Sequence, residues 1–81
     1  MTKSEKLLNK AQENPNGLRF SELETLMQQS GWKLDHQKGS HRVWLSNSGV
    51  RLPVQNNNGK AKGYQVKQFL KQRELEVDHE K

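Results

Sequence analysis

The chain contains no cysteine, only 6% aromatic residues and no long hydrophobic run. The absence of cysteine excludes disulfide bonds and thiolate metal sites. No apolar segment approaches the roughly 20 residues that span a bilayer, and the first residues lack the apolar core of a signal peptide. The sequence therefore predicts a cytoplasmic protein that does not associate with membranes.

Motifs of the common cofactor-dependent and hydrolytic enzymes are also missing. The sequence has no Walker-type glycine loop, no acidic pair and no nucleophilic serine motif. We therefore expect no small-molecule cofactor.

Positive charge is what the chain has in excess. Its 81 residues include 14 Lys and Arg against 9 Asp and Glu, which gives a net charge of +5. This balance favours an anionic partner, either a nucleic acid or an acidic protein. A chain of this length forms one domain, residues 1–81, and buries only about 60–65% of its unfolded surface, so no deep substrate pocket is expected.

Helical periodicity and breakers predict two helices before residue 31. The first runs from Thr2 to about Asn14, where the Asn-Pro-Asn-Gly breaker at 14–17 ends it. Ser21, with Glu24 three residues later, has the pattern of a capping box that opens the second helix. Gly31 after Ser30 is a typical stop for that helix.

The apolar period then changes from 3.6 to 2, which predicts strands at 32–37, 41–46 and 50–55 joined by short hairpin turns. Pro53 cannot donate a ladder hydrogen bond, so the third strand should lie at a sheet edge. The polar segment 56–60 is typical of a flexible loop. A last helix from about Lys62 to Leu75 should present Val66, Phe69 and Leu70 to the core.

The element order α-α-β-β-β-α predicts an α+β fold, in which a three-stranded antiparallel meander carries the helices on one face. Residues 1–17 are expected to form an N-terminal helical extension, residues 18–75 the core and residues 76–81 a polar tail. The side chains expected against the helices are Leu34, Val43, Leu45, Leu52 and Val54.

Strand alternation also predicts which candidate side chains share a face. His41 has the parity of the apolar positions in its strand, so its ring should point toward the helix-covered side, at the mouth of the strand. Arg42, Trp44 and Arg51 should then lie on the open face, where they could stack a base or pair with phosphates. Alternatively, the tryptophan lies under the arginine stems and merely covers the sheet.

His41 is the residue best suited to chemistry, because histidine is the side chain whose ordinary proton affinity fits acid–base work near neutral pH. It follows the tight turn Gly39-Ser40 and stands between Lys38 and Arg42. Cations on both sides suit a substrate that carries phosphate. A hairpin turn followed by an ordinary surface histidine is the alternative interpretation of the same pattern.

Two further lysines and a second histidine complete the set of candidates. Lys60 and Lys62 lie in a glycine-flanked loop near a helix N-terminus, which is a favourable place to bind phosphate. His36 and His41 face each other across the predicted turn. Two histidines without a nearby carboxylate cluster make a poor metal site, so no metal is expected. The sequence leads us to expect that His36→Ala affects activity far less than His41→Ala.

The stretch from Leu26 to Leu70 resembles the HicA family of bacterial toxins, small mRNA interferases of toxin–antitoxin pairs. The matching segments are Ser-Gly-Trp at 30–32, Gln-Lys-Gly-Ser-His-Arg at 37–42, Leu-Pro at 52–53 and the helix opening at 64–70. The resemblance implies a double-stranded-RNA-binding-domain-like fold, ribonuclease activity centred on His41, and inhibition by a HicB-type antitoxin. Many members carry a further histidine just after the Leu-Pro pair, where this chain has Val54-Gln55.

The leading hypothesis is a metal-independent endoribonuclease that acts on mRNA, with His41 as the general base. The residues expected to bind RNA are Lys38, Gly39, Ser40, Arg42, Arg51, Lys60 and Lys62. The proton donor to the leaving group is not identified; a recycled His41 or water would serve. The alternatives are a non-catalytic RNA-binding module of the same fold and a small basic protein that only binds an acidic partner.

Overall fold

The computed structural model describes residues 3–79, with side-chain environments for residues 5–76; Thr2, the expected start of the first helix, and residues 80–81 lie outside that range. The elements are α1 (Lys3–Glu13), a 3-10 turn (Pro15–Gly17), α2 (Phe20–Gln29), β1 (Lys33–Lys38), β2 (His41–Leu45), β3 (Arg51–Asn57), β4 (Lys60–Ala61) and α3 (Gly63–His79).

The strands form one antiparallel sheet in the order β1-β2-β3-β4. Helices α2 and α3 pack on one face of this sheet, and α1 packs against both helices. The α+β meander with helices on one face confirms the predicted fold class, with one strand more than the sequence pattern indicated. None of the helices within residues 3–79 has the length and apolar content that crossing a bilayer requires.

The additional strand belongs to a tight hairpin at residues 56–61, where the sequence pattern predicts a flexible loop over 56–60. Asn58 and Gly59 both have positive φ angles, of 53° and 86°, as a two-residue type I′ turn requires. Two backbone hydrogen bonds of 3.0 Å fix this hairpin, from Phe20 N–H to the Gly59 carbonyl and from Ala61 N–H to the Leu18 carbonyl. The prediction of a flexible loop at 56–60 is therefore wrong.

Pro53 lies where a residue without an N–H is tolerated. It pairs with Val43 of β2, whereas β4 pairs only with Asn56 and Asn57 at the far end of β3. The part of β3 that contains Pro53 therefore has a neighbour on one side only, and the missing donor leaves no gap in the sheet. The edge prediction holds for this part of β3 and is wrong for its last two residues.

The N-cap of helix α2 lies two residues before Ser21. Arg19 is the N-cap, and its backbone N–H donates to the Glu22 carboxylate over 2.9 Å. Lys10 of α1 also donates to Glu22 over 3.0 Å, which ties the first helix to the second. The predicted capping box of Ser21 and Glu24 is therefore wrong, and Glu24 faces the sheet instead.

The end of α2 agrees with the sequence. The Gly31 N–H donates to the Gln28 carbonyl and the Trp32 N–H to the Met27 carbonyl, each over 3.0 Å. These two bonds form the Schellman motif that glycine-terminated helices commonly adopt. Trp32 is then buried against Phe69 of α3, with the rings edge-to-face and their centroids 5.0 Å apart.

The buried core is assembled from all three helices and the covered face of the sheet. Its members are Ala11, Leu18, Phe20, Leu23, Leu26, Met27, Trp32, Trp44, Leu52, Val54, Ala61, Val66 and Phe69. Leu52 and Val54 are therefore buried as predicted, and Leu70 packs against the core. Val43 and Leu45 are only half-buried, and Leu34 is 43% exposed.

Helix α3 continues past residue 75, where the sequence pattern ended it, and reaches His79. Glu76 accepts hydrogen bonds from Ser48 in the β2–β3 turn, over 2.9 Å, and from Gln72, over 2.8 Å. Burial alone would raise the pKa of Glu76, but the hydrogen bonds from Gln72, Ser46 and Ser48 outweigh it and lower the pKa. The first residue assigned to a polar tail is thus part of the fold.

Replacing Glu22 tests the observed helix start. The Arg19 N–H bond lowers the pKa of Glu22, against the raising effect of burial, and Lys10 lowers it further. We expect Glu22→Ala to lose about 1 kcal/mol in the free energy of unfolding by urea at pH 7. Because the folded-state pKa is lowered, this contribution is present above the unfolded pKa of about 4.3 and disappears as the pH falls through the folded value.

Ser21→Ala is the matched control, because the sequence pattern makes Ser21 the cap and the structure does not. Its free energy of unfolding should stay within about 0.5 kcal/mol of wild type. A larger loss in Ser21→Ala than in Glu22→Ala would restore the sequence-predicted helix start.

Candidate functional site

His41 is the first residue of β2 and is exposed at one end of the sheet. It pairs with Lys38 of β1 on one side and with Gln55 of β3 on the other. The turn before it depends on Gly39, whose φ of +60° suits the first position of a type II′ hairpin turn. A Cβ on Gly39 would meet no atom within 4 Å, so the backbone angle, and not lack of space, favours glycine there.

The ring of His41 lies on the open face of the sheet, opposite to the predicted side. Residues directly opposite in an antiparallel pair share a face. Trp44 pairs with Leu52, and both are buried against the helices. Since neighbouring strand residues alternate, His41, Val43 and their partners point away from the helices. The prediction that His41 shares the helix-covered face is therefore wrong, and the histidine is more accessible than expected.

Arg42 and Trp44 lie on the covered face because Glu24 of α2 binds both. The Arg42 Nη1 donates to the two carboxylate oxygens of Glu24 over 2.5 and 2.7 Å, and the Trp44 indole N–H donates over 3.3 Å. The Arg42 guanidinium also lies 5.5 Å from the ring centroid of Phe20. The predicted open-face cluster of Arg42, Trp44 and Arg51 does not form, because the Arg42 guanidinium binds Glu24 on the covered face.

Lys38 and Lys60 both share the open face with His41. Lys38 is the direct cross-strand partner of His41, and its side chain is exposed. Lys60 pairs with Asn57, which has the parity of Gln55 on β3 and therefore points to the open face. Backbone bonds on either side of Lys60 hold β4 to the segment before α2, so this lysine has a fixed position.

Lys62 and the N-terminus of α3 reach the same end of the sheet through Gln65. The Lys62 carbonyl accepts the first helical N–H groups of α3, from Gln65 and Val66. The buried side chain of Gln65 accepts the backbone N–H of Gln55, the partner of His41, over 2.9 Å. The Ser40 carbonyl accepts the N–H of the next residue of β3 over 2.9 Å. The structure thus brings the β1–β2 turn, His41 and the start of α3 together.

Arg51 lies on the open face as predicted, but at the end of β3 that is remote from His41. It pairs with Leu45, and its side chain is 70% exposed. Its Nε donates to the Asp35 carboxylate over 3.3 Å. The same carboxylate oxygen is 3.0 Å from His36 Nδ1. The hydrogen bond with His36, and then that with Arg51, lowers the pKa of Asp35 against the raising effect of burial.

Sequence reasoning missed this cluster because β1 contains a bulge. The pairing register shifts between Leu34 and His36, so that Asp35 is the extra residue and His36 pairs with Val43. His36 therefore points to the open face and does not oppose His41 directly. Strict alternation places neighbours on opposite faces, and no residue type in this stretch signals the bulge. Within residues 3–79, no three His, Asp or Glu side chains are grouped to hold a metal ion.

The chemistry that this surface supports is proton transfer on an anionic ligand. The imidazole of His41 has no hydrogen-bond partner among the described residues and is free to meet a ligand from solvent. Lys38 and Lys60 add positive charge on the same face, from backbone positions that the sheet fixes. A phosphodiester laid across the strand ends would contact an acid–base group and two or three cations at once.

A family model described as the HicA toxin of bacterial toxin–antitoxin systems matches residues 20–75, about two thirds of the chain. The match includes the β1–β2 turn, His41, β4 and most of α3. No curated protein and no solved structure matched the chain.

Arg42→Ala should destabilise the protein, because it leaves the partly buried carboxylate of Glu24 without its strongest donor. We expect a loss of about 1–3 kcal/mol in the free energy of unfolding. Arg51→Ala is the matched control, since its side chain is 70% exposed and it should stay within about 0.5 kcal/mol of wild type. Equal losses in the two variants, measured by urea unfolding, would contradict the assignment of Arg42 to the fold.

Proposed function

The chain belongs to the HicA family of toxins of bacterial toxin–antitoxin systems, and we propose that it acts as an endoribonuclease that cleaves mRNA without a metal ion. The observation that carries this proposal is the exposed imidazole of His41 at the end of the open sheet face. Lys38 is its cross-strand partner, and Lys60 lies on the same face. Toxicity would follow from loss of messages, with growth arrest as the cellular result.

His41 would act as the general base. It takes the proton from a ribose 2′-hydroxyl, and the resulting oxygen attacks the adjacent phosphodiester. Charge develops on the phosphate oxygens in that step, and Lys38 is the nearest cation across the strand pair. RNA is distinguished from DNA in this reaction because only RNA has the 2′-hydroxyl.

The RNA path would run along the strand ends on the open face. Gly39 and Ser40 form an exposed turn beside His41, and the lack of a side chain on the glycine permits close approach of the sugar–phosphate chain. Lys60 and Lys62 extend the positive surface toward the N-terminus of α3, where the helix dipole also favours phosphate. Arg51 would contact the strand further along the open face. Arg42 is not part of this path.

A HicB-type antitoxin of acidic character is the proposed inhibitor. The net charge of +5 favours fast capture by a protein of opposite charge. His41 is exposed and the site has no lid among the described residues, so an antitoxin that covers the β1–β2 turn and the Lys60–Lys62 segment would block RNA directly.

Replacing His41 tests catalysis. His41→Ala should abolish growth arrest and reduce cleavage of RNA by about 10²–10⁴-fold, because general-base catalysis typically contributes that much. His79→Ala is a suitable control, since residue 79 ends the 17-residue helix α3, roughly 25 Å along the axis from the helix start near His41. A stably folded His41→Ala variant that still cleaves RNA would contradict the assignment. Wild-type protein that binds RNA without cleaving it would indicate a binding module.

Neutralising Lys38 or Lys60 tests the proposed RNA path. Each single change to alanine should flatten the log–log salt dependence of single-stranded RNA binding by about 0.7 and weaken binding to all sequences alike. Lys71→Ala removes the same charge from an exposed position two turns into α3 and should leave the slope unchanged. Unchanged slopes in Lys38→Ala and Lys60→Ala would place the phosphate path elsewhere.

A further inference from the structure

The proposed reaction needs a second proton transfer, to the 5′-oxygen that leaves the phosphate, and the position just after the Leu52-Pro53 pair offers no histidine for it. From the geometry of β1 we infer that His36, held by Asp35, is the general acid that protonates this leaving oxygen. The inference rests on the proposed ribonuclease function and adds a second catalytic residue to it.

The bulge in β1 places His36 on the working face. Because the register shifts between Leu34 and His36, both Asp35 and His36 reach the open face that carries His41. His36 pairs with Val43, two residues along β2 from His41. Diagonal neighbours of this kind have side chains roughly 7–8 Å apart. Two imidazoles at that separation can flank one phosphodiester, one on each side of the phosphorus.

The hydrogen bond between His36 and Asp35 favours the role of acid. The Asp35 carboxylate lies 3.0 Å from Nδ1 of His36, which leaves Nε2 directed away from the carboxylate and available to substrate. A carboxylate at this position orients the ring and balances the charge of the imidazolium, as it does in catalytic triads. His41 has no such partner among the described residues. A carboxylate therefore orients the ring of His36, whereas the ring of His41 has no such partner in the part of the chain that the structure describes.

Arg51 of β3 also binds the carboxylate of Asp35. Its Nε donates to the same Asp35 oxygen over 3.3 Å, and these contacts keep the pKa of Asp35 below its ordinary value, so the carboxylate stays ionised. Asp35 is the single acidic residue in the four strands. On a face proposed to bind phosphate a lone carboxylate would repel the ligand, but here its charge is directed at an imidazole and a guanidinium.

The proposed cleavage involves two proton transfers. The ribose O2′–H bond breaks and its proton moves to His41, while an O2′–P bond forms. The P–O5′ bond breaks, its electron pair stays on O5′, and that oxygen takes the proton from Nε2 of His36. The products are one fragment with a 2′,3′-cyclic phosphate and one with a 5′-hydroxyl. His41 ends protonated and His36 neutral, and proton exchange with water restores both.

The test uses two oligoribonucleotides that differ at one atom of the scissile linkage, with oxygen or sulfur at the bridging 5′-position. A 5′-thiolate leaves without prior protonation, so it does not need a general acid. His36→Ala should cleave the all-oxygen substrate about 10²–10⁴-fold more slowly than wild type and the sulfur substrate at close to the wild-type rate. His41→Ala should be slow on both.

Two further variants separate catalysis from structure. Asp35→Asn keeps the size of the side chain, removes its charge and should show a smaller loss that the sulfur substrate also rescues, as expected of a positioning residue. Gln37→Ala, the next position on β1 and on the other face, should cleave both substrates like wild type.

The inference is overturned if His36→Ala cleaves the all-oxygen substrate at the wild-type rate, or is equally slow on both substrates. In either case cleavage by wild type would leave the proposed function standing. If wild type cleaves neither substrate, the proposed function fails and the inference with it.

Discussion

The carboxylate of Glu24 determines which side of β2 faces the helices, and the position of the site depends on that choice. Glu24 projects from α2 and accepts hydrogen bonds from both Arg42 and Trp44. One residue, Val43, lies between these two in β2. Because neighbouring strand residues point to opposite faces, binding both to α2 turns His41, Val43 and Leu45 to the open face. His41 is thereby directed to the open face, together with its partners Lys38 and Gln55.

Sequence alternation could not decide this question, because the two choices bury comparable apolar surface. Burying Val43 and Leu45 together would contribute about 3–6 kcal/mol at typical values per side chain. Burying Trp44 alone removes roughly 150–250 Å² from water, which is worth about 4–6 kcal/mol. The deciding interaction is therefore polar and comes from a helix that lies 18 residues earlier in the chain. A pattern within one strand contains no information about such a partner.

Other parts of the fold were within reach of the sequence. The breaker at 14–17, the stop at Gly31, the β1–β2 turn and the inward face of α3 were all predicted from local chemistry, and the structure has each of them. The β3–β4 hairpin was missed although Asn58-Gly59 is a strong signal for a type I′ turn. The bulge at Asp35 could not be predicted in this way, because it depends on how β1 pairs with β2 and no residue type in β1 signals it.

The exposure of the candidate site follows from the size of the chain. Among the described residues, the sheet is covered on one face by α2 and α3 and has no second layer that could enclose a strand of RNA, so the proposed reaction would occur on the open face. Charges that are exposed to water interact weakly. In the proposed reaction, the lysines around His41 would act chiefly by attracting and positioning the RNA. The bound RNA itself would have to exclude water from the imidazole before the phosphate charge is stabilised strongly. A surface site of this kind therefore depends on a rigid backbone to position its side chains. The backbone bonds that hold β4 to the segment before α2, and the bond from Gln55 to Gln65, provide that rigidity without an enclosing pocket.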